Sequence, residues 1–176
     1  MNARALVGAA ADSYPSIERG TLDAGEFVGP HDDEKLGFMR VARFYLAPGF
    51  REPGARLHQL INNRAFGALP GACKHALEAA CDEADSGMLA RYDHLNPPVL
   101  RRLVAAGAQL RFWPRGTMQA AWRASHGVCE ETGVRNARFR RFWDAYRPHR
   151  GGHFKWFRLI ENAFDNFAFP AAAAVR

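Results

Sequence analysis

No stretch of this chain stays apolar for the ~20 residues that a membrane-crossing helix needs, so no span of that kind is expected along it. Cysteine is scarce: Cys73, Cys81 and Cys129 are the three in 176 residues. No CxxC pair and no Cys/His cluster has zinc spacing. Cys73 and Cys81 lie eight apart in a predicted helix, ~12 Å along its axis, too far for a disulfide. They read as small core residues. The motifs of common chemistry are missing as well: there is no nucleophile elbow, P-loop, HExxH or GxGxxG. His31, His58, His75, His94, His126, His149 and His153 are scattered and single out no catalytic triad. Acid is the scarcer charge, 18 Asp and Glu against 24 Lys and Arg, for a net charge of +6 and a pI of about 9.7. That imbalance favours an anionic partner: nucleic acid, a membrane surface or a small carboxylate.

What is present is globular. Hydrophobic residues make up 48% and charged residues 24%, the profile of one domain with its own core. The opening MNARALVGAAAD has one Arg and then about seven weakly apolar residues, the bottom of the leader-peptide range, and reads as part of the fold. SYPSIERG (13–20) predicts a short helix with Pro15 in its first turn and Gly20 as its cap. TLDAGEFVG (21–29) predicts a strand stopped by Pro30. Asp32, Asp33 and Glu34 then suit a helix N-terminus, where the dipole favours acids. APGFREPG (47–54) is loop, and ARLHQLINN (55–63) alternates like a mostly buried strand. Residues 70–95 predict a long helix with Leu77, Ala80, Cys81, Ala84, Met88 and Leu89 on its apolar stripe. Asn96-Pro97-Pro98 ends that helix and caps another, which closes at Gly107. AQLRFW (108–113) is a strand, Pro114 opens a helix to about residue 130, and basic-aromatic and aromatic helical segments follow. Alternating helices and strands make the class α/β, with three or four strands and no internal repeat.

Two features invite a functional reading. On the period-two face of the first strand, Leu22, Ala24 and Val28 are joined by Glu26, with Gly25 and Gly29 beside it and Phe27 pointing the other way. Glu26 is either an acid at a strand end satisfied by an amide or an Arg, or a ligand. A carboxylate beside exposed backbone binds a hard cation in an oxygen shell, or accepts hydrogen bonds from a solute. Second, between Arg135 and Arg158 seven Arg and one Lys face a single acid, Asp144, with seven aromatic residues interleaved. Arg for phosphates and rings for bases suit a single-strand binder. Phe139, Phe142, Trp143 and Tyr146 also fall on one helical stripe that faces a core, with the Arg residues coating the wet face.

The run YPSIERGTLDAGEFVGPHDDEKLGF (14–38) resembles the C-terminal-lobe signature of the DctP family, the solute-binding proteins of tripartite ATP-independent periplasmic (TRAP) transporters. Other landmarks follow in family order: PGFREPG where a Pro-Gly-Trp-Trp-Glu-type loop belongs, then LINNRAFGALP, ACDEADSGMLARYDHLNPPVLRRLVAAGAQLRFWP and FRLIENAFDNF. The similarity runs from about residue 5 to residue 169 and is closest to the keto-acid and organic-acid binders. It implies an α/β fold: the C-terminal lobe, with hinge-region helices, of a two-lobed periplasmic-binding-protein-like fold. Residues 1–170 would form that portion and 171–176 a frayed tail, with the N-terminal lobe absent. It implies no enzyme, but a periplasmic protein that closes on a 2-oxo or related carboxylate and delivers it to a membrane permease. In keto-acid-type members the acid of a Glu-Trp pair and the carbonyl of its aromatic neighbour help hold a metal ion that bridges to the solute. The pair maps onto Glu26 and Phe27, the substrate-binding and metal-binding residues expected here, with Na+ or Ca2+ as the ion.

The chain also departs from the family. Phe27 keeps the carbonyl but changes the ring that lines the pocket, and the Trp-Trp loop reads Phe50-Arg51. The family's solute-clamping Arg, a Gln of the ion site and the secretion signal lie upstream of Met1, and Glu26 does not replace a bidentate Arg. A truncated chain, impaired in binding and short of strands, is therefore expected. The remaining expected partner is a second copy, paired through residues 153–169. Nucleic acid is not an expected partner. A nucleic-acid module at residues 135–158 and a non-functional gene fragment remain as alternative readings.

Overall fold

The structure is a computed structural model that describes residues 10–49 and 57–174, less the side chains of residues 10 and 11. The expected reading of MNARALVGAAAD as fold falls largely outside these residues, as does most of the 47–54 loop. The chain divides into two compact units, Met1–Pro114 and Arg115–Arg176.

In the first unit, α1 (Ala10–Glu18) begins earlier than expected, so Pro15 sits inside it. Its end is the predicted glycine cap: Gly20 has φ +70°, and the amides of Thr21 and Leu22 both donate to the Ser16 carbonyl. The next segment forms no strand. Gly25 lies on α1 so closely that a Cβ there would be 3.0 Å from Ile17 Cδ1. Gly25 and Gly29 also offer a strand nothing to pack. The segment leads instead into α2 (Pro30–Leu36), with Pro30, expected only to stop a strand, in its first turn, Asp32 and Asp33 near its N-terminus as expected, and Gly37 closing it at φ +74°.

A 3-10 turn (Phe38–Arg40) leads to β1 (Phe44–Ala47). β1 pairs in parallel with β2 (Gln109–Phe112), in register from Phe44 opposite Gln109 to Ala47 opposite Phe112. These two strands are the whole sheet among the described residues. The α/β class therefore stands on one parallel pair with helices between. The strand expected at 55–63 is absent: residues 57–62 are irregular, and Leu60 is 89% exposed. Asn62 instead caps α3 (Asn63–Ala68), its side chain accepting from the amides of Arg64 and Ala65 at 2.9 and 3.2 Å. A satisfied helix cap competes directly with extended structure at such a residue.

α4 (Gly71–Ala105) is a single helix that runs straight through Asn96-Pro97-Pro98, where a break was expected. Two prolines remove two intrahelical donors, yet the helix holds because its later turns are buried. Val99 and Leu103, with Ala108, form the core, and Met39 and Tyr45 pack against them. Asn96 does cap a helix, but a different one: its Oδ1 accepts from the His31 amide of α2 at 3.0 Å. Gly107, at φ +105°, ends the element where predicted. The apolar stripe expected on the earlier turns is not a core. Leu77 and Met88 are half-buried, while Ala80, Cys81 and Ala84 are exposed and Leu89 is 64% exposed. Cys73 and Cys81 are free and exposed, contrary to their reading as core residues.

The second unit is helical throughout. α5 (Arg115–Arg135) exceeds its expected length, and Asn136 caps α6 (Ala137–Phe157) by accepting from the Phe139 amide at 3.0 Å. Contacts Trp122–Phe154, His126–Arg150 and Glu130–Trp143 set α5 and α6 antiparallel. A π-helical turn (Arg158–Asn162) continues into α7 (Ala163–Ala174). α7 takes in residues 171–174 of the tail expected to fray, and residues 175–176 lie outside the described residues; an alanine run is the best helix former available.

Candidate functional site

Glu26 and Phe27 stand in the extended run between Gly25 and Gly29, and this run is held at three points. Gly25 rests on Ile17 of α1. The Phe27 ring lies 5.8 Å from Phe38, whose other neighbour, Tyr14, is at 6.3 Å. At the far end, a Cβ on Gly29 would meet the Asn96 side chain at 3.6 Å, next to the Asn96–His31 hydrogen bond. The predicted sidedness is reversed. Ala24, Glu26 and Val28 are exposed and Phe27 is turned inward, so Glu26 is not an acid on an apolar face. Without a sheet partner the period-two rule has nothing to act on.

The three acids of α2 are each fastened elsewhere. Tyr92 Oη donates to Asp32 Oδ2 at 2.6 Å, and Tyr45 Oη donates to Asp33 Oδ2 at 2.5 Å. Arg102 Nε and Nη2 donate to the two Glu34 oxygens at 2.9 and 2.6 Å, a bidentate pair. Burial pushes the Asp33 carboxyl up to about 6; the Tyr45 hydrogen bond opposes this, and the charges of Asp32 and Glu26 add to it. Burial and the Asp33 bond push Tyr45 upward, and the bond to Asp32 does the same for Tyr92. Arg102 holds Glu34 below the usual carboxylate range. The Tyr45–Asp33 bond joins residues twelve apart in sequence. None of Tyr45, Tyr92 and Arg102 was singled out from the sequence, and Asn96 was expected to cap its own helix and not α2. The acid run alone was the available signal, read as a dipole preference.

Glu26 offers a carboxylate and Phe27 a main-chain carbonyl, both hard oxygen donors of the kind Na+ and Ca2+ take. Among the described residues, no three His, Cys, Asp or Glu side chains gather into a metal-ligand set.

The basic-aromatic segment is partly a core, as its stripe implied. Trp143 is 4% exposed and Phe139 is half-buried, but Phe142 is 60% exposed. Two of its arginines, Arg140 and Arg150, are half-buried and do not coat the wet face. Arg140 and Arg147 pair with Glu130 at 2.9 and 3.5 Å. The Arg150 guanidinium sits 5.3–6.0 Å from the ring centres of Trp122, Trp143, Phe154 and Tyr146.

Comparison with known proteins places these features in a family. The model of DctP, bacterial extracellular solute-binding protein, family 7, matches residues 1–131. Over 168 residues the chain is 38% identical to a monocarboxylate 2-oxoacid-binding periplasmic protein of Nostoc sp., covering 96% of this chain and 46% of that relative. Among solved structures, a TRAP transporter solute-binding protein from Bordetella bronchiseptica RB50 superposes with a TM-score of 0.89 at 42% identity. The match covers 94% of this chain and 49% of that one, a dimer with copurified calcium and picolinate in one site and an apo second site. A TRAP periplasmic solute-binding protein from Pseudoalteromonas atlantica T6c, with bound sodium and pyruvate, matches at a TM-score of 0.79 and 25% identity. That match covers 88% of this chain and 47% of the other. The chain spans about half the length of the relatives it matches.

Proposed function

The chain belongs to the DctP family of bacterial extracellular solute-binding proteins, and on that premise we propose that it supplies the C-terminal lobe of a TRAP-type solute-binding protein. Residues 1–170 carry that lobe. The solute is a small organic acid anion of the 2-oxo class, captured in the periplasm and passed to a membrane permease. The protein binds and releases and catalyses no reaction. Its relatives include a 2-oxoacid-binding protein and structures holding pyruvate or picolinate together with sodium or calcium, and these support the solute class. A second copy pairs through the C-terminal helix, in keeping with the exposure of Phe164, Phe167 and Phe169.

The observation that carries the reading is the three-point fastening of the Glu26–Phe27 segment by Ile17, Phe38 and Asn96. A fastened carboxylate and carbonyl are preorganised, so little conformational freedom is lost when an ion arrives. Glu26 and the Phe27 carbonyl hold a Na+ or Ca2+ ion that also takes a solute oxygen. The ion relieves the repulsion between Glu26 and the solute carboxylate, and differential affinity for the closed form drives closure. Calorimetric titration with pyruvate, with and without Ca2+ or Na+, tests this. Weak cation-dependent heat, as expected of one lobe alone, that disappears in Glu26→Gln is the expected result. Pyruvate binding equal with and without cation, or unchanged in E26Q, rules out the bridge.

A further inference from the structure

We propose that His149 and His153 form a two-imidazole binding site for a late first-row divalent cation, Ni2+, Cu2+ or Zn2+, on the open face of α6. The two residues are one helical turn apart, the spacing that stacks side chains on one face. Their rings lie 4.3 Å apart, inclined at 58°, and both residues are exposed. The intervening Gly151 and Gly152 add no bulk, and even a Cβ at either would meet nothing within 4 Å. His149 and His153 line an open cleft of about 320 Å³ with Pro148, Gly152 and Trp156. Phe157 stacks on His153 at 5.8 Å, restricting that ring from the side away from His149.

The chemistry selects the ion. Imidazole nitrogen suits Ni2+, Cu2+ and Zn2+, whereas Na+ and Ca2+ seek oxygen. The neighbours Arg147, Arg150 and Lys155 are cationic, so affinity comes from the two nitrogen lone pairs and not from a negative field. That condition further disfavours the hard cations. The sequence between the histidines is Arg-Gly-Gly, without the Glu that serves as base in HExxH. The site therefore holds an ion without a hydrolytic partner. Among the described residues no further acid, His or Cys joins the pair, so water or an external carboxylate fills the other positions. This site is chemically separate from Glu26.

The experiment is a Ni2+ titration of the full chain, followed by calorimetry and by thermal melting in circular dichroism. A bound ion ties one turn of α6, so the wild type melts higher with Ni2+. His149→Gln and His153→Gln each weaken binding by at least about tenfold, since losing even an outer-shell partner costs that much, and each abolishes the melting shift. His75→Gln, another exposed histidine, leaves both readouts unchanged. No Ni2+ uptake by the wild type, or equal uptake by H149Q and H153Q, overturns the proposal and leaves the Glu26 reading untouched.

Discussion

In Met1–Pro114 the three acids of α2 each have a partner of their own: Tyr92 for Asp32, Tyr45 for Asp33 and Arg102 for Glu34. In Arg115–Arg176 a single acid, Glu130, gathers three donors: Arg140, Trp143 and Arg147. The second unit concentrates its cation contacts too, with Arg150 among four rings and Nη2 of Arg150 2.5 Å from His126 Nε2. Separate tethers give the first unit a graded response, because cutting one leaves the others. A shared hub gives the second unit a steeper response, because its members are coupled and their losses do not add. The tethered helix is also the one that follows Glu26, so redundancy is built next to the segment proposed to hold the ion.

The largest expected effect comes from emptying the hub. Trp143→Ala removes a nearly buried indole and a 2.7 Å bond to Glu130, and truncations of that size cost about 3–5 kcal/mol. Urea unfolding, with hydrogen exchange resolved by segment, is expected to show the loss in residues 115–157. A loss below about 1 kcal/mol, a surface-like value, contradicts the hub.

Asp33 in the first unit and Glu130 in the second respond to acid with opposite sign. The Asp33 carboxyl is raised from 3.8 to about 6, so the folded form binds its proton more tightly than the unfolded form does. Asp33 therefore costs stability above pH 6, and that cost fades as pH falls from 6 towards 3.8. With the group still partly open to solvent screening, roughly 1–2 kcal/mol is at stake. Glu130 is held below its ordinary 4.5 by the Trp143 and Arg140 hydrogen bonds. Its contribution is present above that value and is lost as pH falls through the lowered one. Thermal melts against pH check both. Asp33→Asn is expected to flatten the slope between pH 4 and 6, and Glu130→Gln to remove the loss at lower pH. An unchanged slope in D33N counts against burial as the cause.

The smallest effect tests how firmly the hub is packed. A Cβ at Gly133 would lie 2.7 Å from the Arg140 guanidinium, displacing that side chain from Glu130. Gly133→Ala also gains about 0.8–1.0 kcal/mol of helix propensity, while a partly exposed pair such as Arg140–Glu130 is worth about 0.2–1 kcal/mol. The terms nearly cancel, so the melting temperature moves little. A fall of several kcal/mol would falsify the view that Arg140 is free to swing away.

Much of this protein was determined locally. Gly20, Gly37 and Gly107 end their elements because each adopts positive φ, a conformation glycine alone takes without strain. The acids of α2 and the caps at Asn62 and Asn136 act over two or three residues. The family resemblance carried by residues 14–38 was legible for the same reason, as was the pairing of Glu26 with a following aromatic. Tertiary structure decided what depends on a distant neighbour. Residues 21–29 became an irregular run because Ile17 lies under Gly25 and no strand adjoins it. Asn96 capped α2 instead of its own helix, and α4 continued through two prolines because Val99 and Leu103 are buried beyond them. Which face of Glu26–Phe27 meets solvent was likewise settled by Phe38, since alternation along a strand has force only when a sheet is there to impose it.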